Sequence, residues 1–187
     1  VRGHGDIARF LLARLFYNDG LVTLFAVGGI YAKTTFGMTT AEVLQFGVGI
    51  NVTAGLGAFA FAWIDDWIGS KRTILISLAG LIIVAAGVLS AETTLAFLIW
   101  GSALGIFVGP VQAASRSMMA HLAPQGLETE MFGLFAFSGK ATAFIGPLVF
   151  AAVTALTASQ RWGMATILVF FAAGGALLFT VTDARRG

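Results

Sequence analysis

Six long apolar segments limit what this sequence can fold into more than any other feature. In a chain of 187 residues they cover roughly residues 7–32, 41–64, 73–89, 95–119, 130–156 and 163–181. A helix rises 1.5 Å per residue, so about 20 residues cross the ~30 Å hydrocarbon layer. No segment alternates polar and apolar residues as a membrane strand does. The sequence therefore predicts an all-α integral membrane protein, with residues 1–187 forming one domain of six transmembrane helices.

The composition supports a membrane location and excludes several other classes of protein. Only 11% of the residues are charged and 58% are hydrophobic, which is too few charges to cover a soluble domain. Cysteine is absent, and the two histidines, His4 and His121, lie outside the predicted spans. No carboxylate pair, nucleophile with a base, or metal-ligand spacing is visible. We therefore expect no enzymatic activity, no cofactor and no metal. The net charge is only +2 and no long run of basic residues is present, so nucleic acid is not expected as a partner.

The distribution of Lys and Arg predicts the orientation in the bilayer. One side of the predicted topology has two positive residues, Lys33 and Arg161. The other side collects Arg2, Arg9, Lys71, Arg72, Arg185 and Arg186. Because positive loops stay in the cytoplasm, both termini are expected there, in a multi-pass protein of a bacterial inner membrane. The chain shows no cleavable signal peptide and starts with Val1, which leaves open a fragment or a self-pairing half-length protein.

Polar side chains are distributed unequally among the six predicted spans. The third and sixth spans carry no charged residue. The polar residues of the other four spans are Arg14, Tyr17, Asn18 and Asp19; Gln45 and Asn51; Gln112, Ser115 and Arg116; and Ser138, Lys140 and Thr142. Ionisable groups inside a bilayer are costly and normally face a bundle interior or a wet cavity. We therefore predict four helices that line a path and two outer ones.

The depth of the polar residues indicates a candidate site for a substrate or a coupling ion. At 1.5 Å per residue, Asp19, Asn51 and Lys140 all fall near the middle of the bilayer, roughly 15–18 Å deep. Asp19 and Lys140 would then neutralise each other, either as a structural ion pair or as part of the site. We include Tyr17, Asn18 and Gln112 in this candidate site because they are polar residues of the predicted lining helices.

Arg14 and Arg116 lie nearer the cytoplasmic surface than these residues. Asn18 follows Arg14 by four residues, and Arg116 follows Gln112 by four, so each pair shares a helix face. Both arginines are candidates for a cytoplasmic vestibule that binds an anionic group. Alternatively, their side chains extend to the lipid headgroups.

A charged turn between the second and third spans resembles the cytoplasmic loop motif of the major facilitator superfamily. It reads Asp66-x-x-Gly69-x-Lys71-Arg72, preceded by Ala62 where the superfamily motif has Gly. Physically, the motif requires an acid near a helix end, a glycine for the turn, and cations that pair with the acid or with the lipid headgroups. In the fifth span, Gly139 and Gly146-Pro147 resemble the glycine-proline helix motif of the same superfamily, where they would serve helix packing.

Three further stretches resemble a narrower branch of that superfamily. They are residues 10–20 (FLLARLFYNDG), 115–117 (SRS) and 138–142 (SGKAT), and they are similar to the carboxy-terminal half of permeases related to fungal vacuolar amino-acid effluxers. The resemblance extends from about Phe10 to Val181. It implies half of a twelve-helix fold, built from two inverted three-helix repeats with the substrate path between halves. The missing half would be a second copy or a separate amino-terminal half.

The resemblance implies a function in secondary active transport. The chain would be half of an alternating-access transporter for a small polar solute such as an amino acid, with export as the favoured direction and a proton as a candidate coupling ion. Lys140 is the residue that we expect to matter most. The alternative is a non-transporting scaffold or assembly factor on the same fold, for which Lys140→Ala and Asp19→Asn would leave activity unchanged. The substrate, coupling ion and direction are not determined by the sequence.

Overall fold

A computed structural model describes the backbone of residues 2–182 and the side chains of residues 5–182. This part of the chain contains helices and no strand. The helices are α1 (Arg2–Phe36), α2 (Thr40–Ile68), α3 (Ser70–Ser90), α4 (Thr94–Leu122), α5 (Glu128–Ala141), α6 (Ile145–Thr157) and α7 (Gln160–Phe179). The side chain of Arg2, as well as Arg185 and Arg186, lies outside the described residues, so the predicted orientation stays a prediction.

The seven helices make six spans of membrane length, because α5 and α6 follow each other as one span from residue 128 to residue 157. This confirms the predicted fold class. The third predicted segment, 73–89, corresponds to Ser70–Ser90, and the other ends also lie a few residues from those predicted. Helix ends here have local causes. Thr39 and Glu42 form a capping box at the start of α2, and Gly69 turns the chain into α3 with φ of 88°.

Helix packing relates the first three spans to the last three. α1 packs against α7, and its counterpart α4 packs against α3 in the same way. α2 packs against α4, and its counterpart, the span made of α5 and α6, packs against α1. The remaining spans, α3 and α7, contact each other. Corresponding spans run in opposite directions, because each connection returns the chain across the layer. The fold is thus one half of a major facilitator fold, with two inverted three-helix repeats.

Glycines allow α2 and α4 to approach closely. Gly105 lies against Thr53, and the backbone of Gly109 lies against the main chain of Ala54. Across the same contact, the Thr53 hydroxyl donates a hydrogen bond of 2.9 Å to the Ser102 carbonyl. Small residues at such positions let transmembrane backbones pack by van der Waals contact. This seam positions α4 and therefore the site described below.

Burial within this half does not follow the absence of charge, and the division into four lining and two outer helices stays a prediction. α3 is the most buried span, with Ile74, Leu78 and Leu81 almost completely covered. α2, which carries the predicted Asn51, is the most exposed span. The reason is that an apolar span packs as readily against a neighbouring helix as against lipid, so the absence of charge does not specify an outer position.

Candidate functional site

Arg14 of α1 is held against the last two turns of α5. Its Nη1 donates hydrogen bonds to the Phe135 carbonyl at 2.7 Å and to the Ser138 hydroxyl at 3.0 Å. The guanidinium also lies 3.6 Å from the centre of the Phe135 ring, which gives a cation–π contact. A side chain on Gly139 would collide with this guanidinium, since a Cβ there would lie 2.7 Å from Nη1. Arg14 is therefore oriented within the span rather than extended to the headgroups.

A break in the fifth span lies next to α1. The helix is interrupted at residues 142–144, where the Ala143 amide bonds to the Lys140 carbonyl and leaves the Gly139 carbonyl without its helical partner. The Asn18 amide donates to that carbonyl at 2.9 Å. Pro147 follows in the first turn of α6, where a helix needs no amide donor. The glycine-proline pair thus begins a new helix and does not kink a continuous one.

Asp19 lies one residue beyond Asn18 but faces a different, closed environment. Only 1% of Asp19 is exposed, and neither carboxylate oxygen has a hydrogen-bond partner among the described residues. The hydroxyl of Thr142 at the helix break is also buried without a partner. This hydroxyl lies near the Asp19 carboxyl group but makes no hydrogen bond of normal geometry with it. A buried, unpaired carboxylate is costly as an anion, so the site favours a proton or a cation on Asp19.

The predicted neutralisation of Asp19 by Lys140 is wrong. Lys140 is exposed on α5, whereas Asp19 is buried, and no ion pair joins these two described residues. Similar depth placed them together in the prediction. Depth does not give the direction of a side chain around its helix, and this direction separates the two groups.

An open cavity of about 440 Å³ lies between α1, α4 and α5. Three cations, Arg14, Arg116 and Lys140, line it together with Asn18. The lining contains no carboxylate. Its remaining residues are apolar or glycine, namely Val22, Phe132, Phe135, Ala136 and Gly139. Behind it, Tyr17 and Ser115 share a buried hydrogen bond of 2.7 Å that fixes α1 against α4. The predicted vestibule residues and Lys140 therefore meet in one cavity.

Besides Asp19 and Tyr17, two further predicted site residues lie outside this cavity. The Asn51 amide donates to the Gly47 carbonyl of its own helix at 2.8 Å, beside a smaller apolar pocket that includes Phe25 and Phe46. Gln112 is exposed on α4 and lines none of the described cavities. Sequence reasoning missed the roles of Phe135 and of Thr142 at the break. No sequence signal singled out Phe135, because hydropathy does not distinguish one aromatic residue from the other apolar residues of a span.

The charged turn connects three parts of the bundle. Lys71 donates to the Phe179 carbonyl at 3.0 Å and also to the Val181 carbonyl, at the carboxy-terminal end of α7. Ser70 donates to Asp65 at 3.3 Å and bonds to Ser117 of α4 at 3.0 Å. Asp66 lines a small cavity between α2 and α4, and Arg72 is exposed. Lys71 therefore serves a helix end, where a cation complements the free carbonyls.

We expect Lys71→Ala to loosen the end of α7. Charged hydrogen bonds at a partly exposed site contribute about 1 kcal/mol, so the melting temperature should fall by about 2–4 °C. Hydrogen exchange of the Thr180 and Val181 amides, which bond to Leu177 and Leu178, should become faster. Arg72→Ala is the matched control, and equal exchange in the two variants would contradict the role of Lys71.

Comparison with known proteins identifies relatives along almost the whole chain. A family profile described as Vacuole effluxer Atg22 like matches residues 1–187. Autophagy-related protein 22 of Candida glabrata is 28% identical over 97% of this chain, which is 36% of its own length. The protein of the same name from Cryptococcus neoformans is 26% identical over 86% of this chain and 31% of its length. The uncharacterized MFS-type transporter YxiO of Bacillus subtilis is 26% identical over 98% of this chain and 42% of its length.

The chain thus spans between about a third and two-fifths of the length of these curated relatives. Which half of a twelve-helix permease it corresponds to stays a prediction. The match of the family profile is not confined to one motif, and the predicted resemblance to vacuolar effluxers is confirmed. This six-span, multi-pass membrane protein belongs to the Atg22-like vacuole effluxer family.

Proposed function

We propose that this chain forms one half of a secondary active transporter that moves a small polar solute by alternating access. The observation that carries the proposal is the open cavity with three cations in its lining, on the side of α1 and α4 away from α3 and α7. A second six-helix half would close this side and complete the path. Membership of a family described as effluxers and similarity to an MFS-type transporter support this function.

In this mechanism the polar groups of the cavity contact the solute. Lys140 and Arg116 are exposed to the cavity, and Arg14 and Asn18 connect it to the carbonyls of α5. A solute that binds these groups also contacts the segment before the helix break. Discontinuous helices supply such sites in other transporters, because their free backbone groups bind ligands and their segments tilt separately.

Asp19 is the candidate for coupling to a proton. Its burial without partners favours the protonated group in the conformation described. Release of the proton would create a charge next to the break, and this charge would favour an arrangement that admits water or a cation. Proton movement and bundle movement would thereby be linked through α1, α5 and α6.

Amino acids are the solute class that we propose to test first, from the sequence resemblance to vacuolar amino-acid effluxers. Export is the favoured direction because the family is described as effluxers. The proposed location is a bacterial inner membrane with both termini in the cytoplasm. The second half is either another copy of the chain or a separate half. A proton is the proposed coupling ion.

The test begins with the mass of the purified chain in lipid nanodiscs, followed by amino-acid counterflow in proteoliposomes of the same assembly. Two copies that exchange labelled amino acids, and that lose exchange in Lys140→Ala, would support a self-paired transporter. A single copy requires the second half to be supplied on a longer polypeptide before the same assay. A complete assembly that exchanges no amino acid, or one in which Lys140→Ala exchanges normally, would contradict the proposal.

A further inference from the structure

We infer that the cavity between α1, α4 and α5 selects a solute with a net negative charge over a zwitterionic or cationic one. This inference rests on the proposed function, because it names the solute class of the same cavity. The observation behind it is the charge of the lining, which contains Arg14, Arg116 and Lys140 and no acidic residue.

Two of the three cations are available to a ligand. Lys140 and Arg116 make no hydrogen bond or ion pair with the described residues, and both are exposed to the cavity. Arg14 and Arg116 line the same cavity without an acidic residue, so their like charges repel each other and the positive charge of the empty cavity is uncompensated. An anionic group that enters the cavity would relieve this repulsion and form charge-assisted hydrogen bonds.

The third cation is oriented in advance. Nη1 of Arg14 is committed to Phe135 and Ser138, and the guanidinium plane rests on the Phe135 ring. A fixed guanidinium loses little conformational freedom when it binds a carboxylate. The Asn18 amide nitrogen is anchored on the Gly139 carbonyl, which leaves its side-chain oxygen as a neutral acceptor of a residue that lines the cavity.

The nearest buried acid does not offset this charge. Asp19 is 1% exposed and does not line the cavity, so it offers no contact to the ammonium group of a zwitterion. An ammonium group in the cavity would face three cations. The volume of about 440 Å³ lies within the ~300–1,000 Å³ range of small-molecule sites. Size therefore permits many solutes, and charge decides among them.

The experiment measures equilibrium binding of labelled glutarate, glutamate and glutamine to the purified chain in nanodiscs. Glutamate and glutamine differ by one charge and almost nothing in shape. We expect glutarate to bind most tightly and glutamate to bind at least about tenfold more tightly than glutamine, which corresponds to about 1.4 kcal/mol. The difference should shrink in 0.5 M NaCl, because the cavity is open and its charges are screened.

Lys140→Gln and Arg116→Gln should each weaken glutarate binding about five- to tenfold, because each removes one cation that has no structural bond. Lys33→Gln is the control with the same change in net charge. Lys33 lies outside the cavity and bonds to Thr40. Circular dichroism and melting temperature would establish that all three variants fold.

Equal affinity for glutamate and glutamine, no binding of any of the three probes, or cavity variants that bind like Lys33→Gln would overturn the inference. These outcomes are distinct from failure of the proposed function. An assembly that transports glutamine and not glutamate would remain a transporter without the proposed charge selection. A chain that binds glutarate as expected while its complete assembly transports nothing would retain the site and lose the transport function.

Discussion

Gly109→Val is expected to separate α2 from α4 and to prevent the six spans from packing as one bundle. A Cβ at residue 109 would overlap the Ala54 carbonyl oxygen and lie 2.8 Å from its carbon and 3.2 Å from the Ala58 Cβ. Backbone atoms cannot rotate away as a side chain can. α2 makes most of its contacts with α4, so no other helix would retain it. We expect a loss of about 3 kcal/mol or more, which lowers the melting temperature by at least about 6–12 °C.

The measurement is thermal unfolding of the purified protein in detergent, followed by tryptophan fluorescence. Gly55→Val is the matched control on the opposite side of the seam. Residue 55 is exposed on α2, and a Cβ there would meet nothing within 4 Å. Both variants replace a helical glycine by the same β-branched residue, so their difference isolates the contact. Equal melting temperatures would show that α2 and α4 are not packed as described.

Hydropathy predicted the number of spans because the requirement is one-dimensional. Each helix needs enough consecutive apolar residues to cross the layer, and whether a segment has them can be read directly from the sequence. The turn at Gly69 was predictable for a similar reason, since the motif lies between two apolar runs. Its actual contact was not, because Lys71 bonds to α7, more than 100 residues away.

The arrangement of polar side chains could be predicted only in part. Arg14, Arg116 and Lys140 line one cavity, although the prediction placed Lys140 in a deeper site with Asp19 and Asn51, which do not line it. Depth can be counted from the sequence, but the direction around the helix depends on which neighbours pack against it. Successive residues are rotated by about 100°, so Asn18 and Asp19 serve different environments although they are adjacent.

The helix break also shows a limit of sequence reasoning. The sequence predicted that Gly146 and Pro147 serve helix packing within a continuous span, whereas the chain leaves the helix at residues 142–144 and resumes at Ile145. Proline excludes the amide of its own position and crowds the carbonyl four residues earlier, so the preceding turn is the one that opens. The break leaves the Gly139 carbonyl without a helical partner, and Asn18 donates to it instead. This contact could not be predicted from α5 alone, because Asn18 belongs to another helix.

Asp19→Asn is expected to stabilise the chain while it impairs coupled transport in the complete assembly. Neither Asp19 oxygen has a partner in the described part of the chain. At pH 8 the folded wild-type chain therefore loses free energy at this residue, either because a charged carboxylate is buried or because the carboxylate must first take up a proton. The amide of Asn has nearly the same shape and carries no charge. Removing the penalty should add about 2–4 kcal/mol, which raises the melting temperature by about 4–16 °C.

The two readouts separate a coupling role from a merely structural one. A structural acid would lose stability on substitution, whereas a group held unpaired for proton exchange should gain stability and lose proton-dependent transport. Asp6→Asn is the control, because Asp6 lies 3.7 Å from Arg9 in a partly exposed ion pair. Such a pair contributes about 0–1 kcal/mol, so this variant should be unchanged or slightly less stable. A lower melting temperature for Asp19→Asn, or proton-coupled transport that survives it, would remove Asp19 from the mechanism.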